Sequence, residues 1–151
     1  MADSGAEMTI LSFVPADQAE VKALVLAGLV DHWGFLDPTL NPDLNDIAAS
    51  YAAAFFLVAR QGGRVVGAGA LVPRDGGSAE VVRMSVAREL RRQGLGRLIL
   101  GRLVAEARRA GFQRVVLETT STWSEVIAFY LHFGFRVTHQ AGGDTYFALD
   151  L

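Results

Sequence analysis

Residues 81–100 read VVRMSVARELRRQGLGRLIL, and they decide the fold. Residues 79–86 form an apolar run interrupted by Glu80 and Arg83, the pattern of a strand. From Leu95 onward, Leu95, Ile99, Leu103 and Ala107 recur every four residues, which predicts a helix to Ala110 stopped by Gly111. Between the two lies Arg91-Arg92-Gln93-Gly94-Leu95-Gly96-Arg97. Its glycines allow close approach of backbone to a ligand, and the first turn of the helix offers amides with no intrahelical acceptor at the positive end of the dipole. A phosphate suits such a loop, and the flanking arginines would add charge-assisted hydrogen bonds.

Working outward, residues 112–119 read as a second strand, so residues 79–119 form a βαβ unit whose strands should run parallel with a right-handed crossover. Residues 124–133 predict a short helix ended by Gly134, followed by a hairpin of residues 135–138 and 145–151 around Gly142-Gly143. Upstream, two apolar strands flank Gly62-Gly63, and residues 74–78 supply the turn into the strand before the loop. Residues 8–14 predict an opening strand, and Asp17 with Glu20 is a capping-box signature for a helix to about His32. Residues 33–45 break that periodicity, after which Asp43 or Asn45 would cap a short helix through Tyr51. The expectation is one α/β domain over residues 1–151, with about seven strands, mostly antiparallel, and about four helices.

With 51% hydrophobic and 20% charged residues the composition is that of a folded globule, and zero cysteines exclude disulfides, thiolate metal sites and a cysteine nucleophile. The first ten residues lack a basic-then-apolar leader and no apolar run approaches the ~18 residues needed to span a bilayer, so a cytoplasmic protein without membrane partners is expected. No His, Asp and Glu spacing suggests a metal. The net charge of −2 divides unevenly: residues 1–60 carry −6 and residues 61–151 carry +4. Nucleic acid is nonetheless a poor partner, because the arginine-rich stretch from Arg88 to Arg114 holds only Phe112 as a stacking aromatic. A P-loop is excluded because the chain's one lysine is Lys22, and a Rossmann fingerprint because Ile99 stands where its third glycine belongs.

The loop resembles the acyl-coenzyme A binding motif of the GCN5-related N-acetyltransferases: arginine or glutamine, two variable residues, glycine, one variable residue, then glycine or alanine. Arg91, Gly94 and Gly96 match it. At the family's spacing, residues 128–135 (AFYLHFGF) resemble the helix that carries the family's usual catalytic tyrosine, here Tyr130. The two motifs lie within residues 79–139; the first half of the chain agrees with the family only in its order of elements.

The resemblance implies acetyl transfer from acetyl-CoA, the co-substrate, to a primary amine on a small molecule or a protein, with no metal. It implies that Arg91, Arg92, Gln93, Gly94, Leu95, Gly96 and Arg97 hold the pyrophosphate and that Met84, Ser85 and Val86 pair with the pantetheine amides, as an open strand edge pairs with a peptide. Tyr130 would protonate the leaving thiolate; the ordinary values, near 10 for tyrosine and 8.5 for a thiol, leave that step uphill by ~2 kcal/mol. Glu80 is the first choice to accept the amine proton, on the face that strand alternation shares with Val82 and Met84. Glu118 and water are its rivals, and either glutamate could instead pair with Arg83 or Arg114. Trp33, Phe35 and Glu118 are candidates for the acceptor side, suited to a cationic amine with an aromatic portion; Trp33 and Phe35 could equally form a small aromatic core. The family's usual asparagine, seven residues before the tyrosine, is replaced by Trp123, which could wall the acyl pocket or simply pack. A non-catalytic acyl-CoA sensor is the alternative function, and edge strands in the final hairpin would permit a homodimer.

Overall fold

Three glycine-bearing turns set up the sheet. In the computed structural model, which describes residues 7–37 and 39–151, Gly62-Gly63 and Gly142-Gly143 all take positive φ, as two-residue hairpin turns require. Gly76 and Gly77 do the same in the turn between the third and fourth strands. Residues 1–6, part of the stretch read for a leader, lie outside the described residues.

The seven strands are β1 (Met8–Ser12), β2 (Phe55–Gln61), β3 (Arg64–Pro73), β4 (Ser78–Val86), β5 (Arg114–Thr120), β6 (Arg136–Ala141) and β7 (Asp144–Asp150). They form one sheet in the order β1-β2-β3-β4-β5-β7-β6. Only β4 and β5 run parallel; the other neighbours are antiparallel. The helices are α1 (Gln18–Trp33), the single turn α2 (Ile47–Ser50), α3 (Leu95–Arg109) and α4 (Ser124–Phe133). This is the expected mixed architecture, with element ends within a few residues of expectation. None of the described helices is long and apolar enough to cross a membrane.

Two apolar clusters sandwich the sheet. On one face Leu95, Ile99, Leu100, Leu103, Val104 and Ala107 of α3 pack with Tyr130, Phe135 and Phe147. On the other, Val21 and Val25 of α1 pack with Leu44, Ile47 and Val58. A Cβ on Gly67 would come 2.7 Å from Ile99 Cδ1, so β3 uses glycine to let α3 lie close.

Three local expectations are corrected. Asp17 and Glu20 form no capping box: the Asp17 carboxylate accepts from the Val14 amide at 3.0 Å and pairs with Arg60 at 2.6 Å, and Glu20 reaches Arg60 at 3.2 Å. The arginine on β2 draws both acids away from the helix start. The cap of α2 is Asp46, whose Oδ1 accepts from the Ala49 amide at 3.1 Å, because Asp43 is held by Arg83 and Tyr51. Strand alternation also fails in β4. Ala68 pairs with Ser85 and Ala70 with Val82, so Arg83 and Met84 together oppose Gly69, and Arg83 takes the left-handed φ of 56°. The extra residue turns Met84 to the α3 side while Glu80 and Val82 belong to the α1 side.

Candidate active site

β4 and β5 pair only from Ser78 with Arg114 to Glu80 with Val116. Beyond that fork, residues 81–86 and 117–120 diverge, leaving facing backbone edges free of each other. The loop from β4 to α3 crosses the open end. There Gly94, at φ 90°, is the N-cap of α3 and provides no side-chain cap. The first bond into the helix is from the Leu98 amide to the Gly94 carbonyl at 3.0 Å, so the amides of Leu95, Gly96 and Arg97 are left pointing out of the first turn. Arg92, at φ 65°, adds a second left-handed residue to the loop.

The arginines of this loop brace it from both sides. Arg91 donates to the Val86 carbonyl at 3.2 Å and pairs with Asp31 of α1 at 3.1 Å. Arg92 pairs with Glu125 in the first turn of α4, an exposed contact worth little to stability. Arg97 lies over the Phe133 ring, 5.3 Å from its centroid, and Gln93 donates to the Glu89 carbonyl at 3.0 Å. Phe129 of α4 lies near Gly96: a Cβ there would stand 3.5 Å from it, an ordinary contact, which agrees with a motif that accepts glycine or alanine.

Tyr130 is buried, ringed by Phe129, Phe135 and Phe147 at centroid distances of 5.1, 5.9 and 5.8 Å. Burial among these rings pushes its phenol well above the ordinary value, so it stays protonated at neutral pH. Among the described residues no side chain or backbone group is hydrogen-bonded to the Tyr130 hydroxyl, and no fully buried side-chain polar atom lacks a partner.

Glu80 and Glu118 lie on the opposite face of the sheet from Tyr130. Glu80 stands at the fork and pairs with Arg74 at 2.7 Å, not with Arg83 or Arg114. Glu118 is exposed and stands opposite Tyr146 in the β5–β7 register, and the nearby carboxylate raises the Tyr146 phenol. An acid on one face and carboxylates on the other can meet one ligand only through the gap between β4 and β5. Met84, Ser85 and Val86 line that gap on the β4 side, though the bulge puts Met84 on the opposite face from Glu80.

Trp123 stacks on His32 at 4.3 Å and meets Trp33 edge-on at 5.3 Å, joining the end of α1 to the start of α4. Trp33 keeps this edge contact while remaining 49% exposed, and Phe35, 66% exposed, joins no aromatic pair among the described residues, so neither forms a buried aromatic core. Asp43, Tyr51 and the bulge at Arg83 were missed from sequence; Gly69, opposite the bulge, was the one available sign. Among the described residues no cluster of three His, Asp or Glu is placed to hold a metal.

Comparison with known proteins agrees with this geometry. The sequence model of the acetyltransferase (GNAT) family matches residues 24–135. The chain is 44% identical over 81 residues to an IAA acetyltransferase of Azospirillum brasilense, covering 53% of each protein. It is 32% identical over 112 residues to the uncharacterized N-acetyltransferase YjgM of Escherichia coli (strain K12), covering 72% of this chain and 66% of that protein. The chain thus spans about half to two thirds of the length of these curated relatives. Among solved structures, yncA of Salmonella typhimurium, determined with its cofactor acetyl-CoA, superposes with a TM-score of 0.78 at 26% identity, covering 96% of this chain and 94% of that one.

Proposed function

The chain belongs to the acetyltransferase (GNAT) family, and from that premise we propose that it moves an acetyl group from acetyl-CoA to a primary amine in a complex holding both substrates. The observation that carries this reading is the run of unpartnered amides at Leu95, Gly96 and Arg97 beside the open fork of β4 and β5. Acetyl-CoA, present in the related yncA structure, supplies an activated thioester whose C–S bond breaks as the amine nitrogen bonds the acyl carbon.

The amides of the α3 first turn hold the pyrophosphate, and the free edge of residues 84–86 pairs with the pantetheine amides. Tyr130 donates its proton to the departing thiolate. Its burial widens the gap from a thiol beyond the ~2 kcal/mol of the free groups, so donation must accompany expulsion, when sulfur charge is greatest. On the far face Glu80 or Glu118 accepts the amine proton, Glu80 after exchanging its Arg74 partner for the ammonium. Trp33 and Phe35, exposed within the acidic first half of the chain, favour a cationic acceptor with an apolar or aromatic body. β6, with all six residues exposed, leaves an edge on which a second copy could pair.

The test is thiol release from acetyl-CoA across a panel of polyamines, aminoglycosides, amino acids and peptide amines. Turnover that falls about 10²-fold in Tyr130→Phe, with acetyl-CoA affinity retained, supports the assignment. Binding without turnover on any amine would favour the sensor, and no binding would overturn the acyl-CoA reading.

A further inference from the structure

We propose that the ion pair between Asp43 and Arg83 is a clamp that fixes the bulge of β4, so that residues 84–86 run in the course needed to receive the pantetheine arm. Arg83 is then a positioning residue for acyl-donor binding, and the inference rests on the acyl-CoA reading above.

The bulge places an arginine where a glycine is the ordinary choice. Arg83 holds a φ of 56°, and such a conformation persists in a residue with a side chain only where its surroundings over-determine it. The surroundings here are specific. Arg83 Nε donates to Asp43 Oδ2 at 3.0 Å and Nη2 to Asp43 Oδ1 at 2.7 Å, a two-pronged contact, and Nη2 also reaches Asn41 Oδ1 at 3.1 Å. The Tyr51 hydroxyl donates to Asp43 Oδ2 at 2.6 Å, and Ser85 Oγ donates to the Arg83 carbonyl at 3.3 Å. The guanidinium side chain is only 20% exposed and the carboxylate 28%, so solvent competes weakly.

The anchor is itself held by two buried side chains. Leu44 and Ile47, on either side of the Asp46 cap, are fully buried, and the Tyr51 ring meets Phe56 edge-on at 5.2 Å. The clamp therefore ties a packed segment, residues 41–51, to the strand beside the cofactor gap.

The consequence follows from the period of a strand. Without the extra residue, the pairing of β4 with β3 slips by one beyond Val82, and Met84, Ser85 and Val86 each turn to the opposite face. Met84 would leave the α3 side, where a Cβ on Gly69 would come 2.6 Å from its Sδ. The open edge would then present the wrong backbone groups to a ligand.

The experiment measures acetyl-CoA binding to the full chain by calorimetry, with steady-state kinetics where turnover is found. Arg83→Ala removes the clamp but keeps the cost of the left-handed conformation; Asp43→Asn removes the charge from its other end. Each is expected to weaken binding about 10-fold or more, and the double variant to be no worse than the weaker single, as coupled partners behave. The KM for acetyl-CoA should rise while kcat at saturation stays within about 3-fold. Arg83→Lys, which keeps charge but not the fork, should lose about 3-fold and serves if the others fail to fold. Wild-type affinity in Arg83→Ala, or in Arg83→Lys where Arg83→Ala does not fold, overturns the clamp alone. No binding by the wild type overturns the acyl-CoA reading and the clamp with it.

Discussion

Trp123 lies face to face with His32, their ring centroids 4.3 Å apart and their planes 21° from parallel. The contact closes α1 onto the N-cap of α4 and covers one face of the imidazole. Desolvation by burial lowers the His32 value below the ordinary 6.5, Arg91 lowers it further, and Asp31 opposes them.

The His32 ring should therefore titrate below 6.5 when followed by proton NMR. Trp123→Ala should move the midpoint up by restoring water, and Asp31→Asn should move it down. Because the folded state disfavours the proton, the contribution of this group to stability is complete above pH 6.5 and is lost as pH falls below 6.5 through the folded midpoint. A midpoint at or above 6.5 would mean that the stack does not form in solution.

Gly94 and Gly96 should respond oppositely to alanine. Gly94→Ala forces a side chain into φ 90°, at a cost of about 1–2 kcal/mol, and tilts the amide run, so acetyl-CoA affinity should fall at least about 10-fold. Gly96→Ala places its methyl 3.5 Å from Phe129 and should leave affinity within about 2-fold, with stability unchanged or slightly raised. Equal losses in both would show that the loop does not bind through its backbone.

Why the loop was legible and its surroundings were not follows from the range of the signals. Gly94, Gly96, Leu95 and Ile99 act locally, through turn geometry and helix period, and so leave a pattern in sequence. Tyr130 is legible by motif, whereas Phe147, on the last strand, joins its apolar cage only through the fold. Arg83 and Asp43 are 40 residues apart, and neither type marks a bulge, so alternation put Met84 on the wrong face. Asp17 was misread for the same reason: a local capping pattern was present, but Arg60, 43 residues away, took the carboxylate.

That pair is a stability element. Asp17 is 6% exposed, bonded to the Val14 amide at 3.0 Å and to Arg60 at 2.6 Å. Asp17→Ala strands both donors and should destabilise by about 2–4 kcal/mol, while Asp17→Asn, which keeps an acceptor, should cost about half as much. Denaturant melts decide it; a loss below about 1 kcal/mol in Asp17→Ala would show that solvent replaces the carboxylate without penalty.

The acceptor side makes the last prediction, and it separates substrate recognition from folding. Trp33 is 49% exposed and Phe35 66%, an exposure that folding alone does not require of large aromatic residues. If they receive the acceptor, Phe35→Ala should raise the acceptor KM about 5-fold or more and leave the KM for acetyl-CoA unchanged, because Phe35 joins none of the aromatic contacts around α4. Its melting temperature should not move. Trp33→Ala should do the same to the acceptor but also lose the edge contact with Trp123, so a modest drop in stability should accompany it. Among amines of equal basicity, those with an aromatic or branched apolar body should show the larger penalty in both variants. An unchanged acceptor KM in both would remove these residues from the acceptor site and leave Glu118 and Tyr146, on the open face of β5 and β7, as the surface to search next.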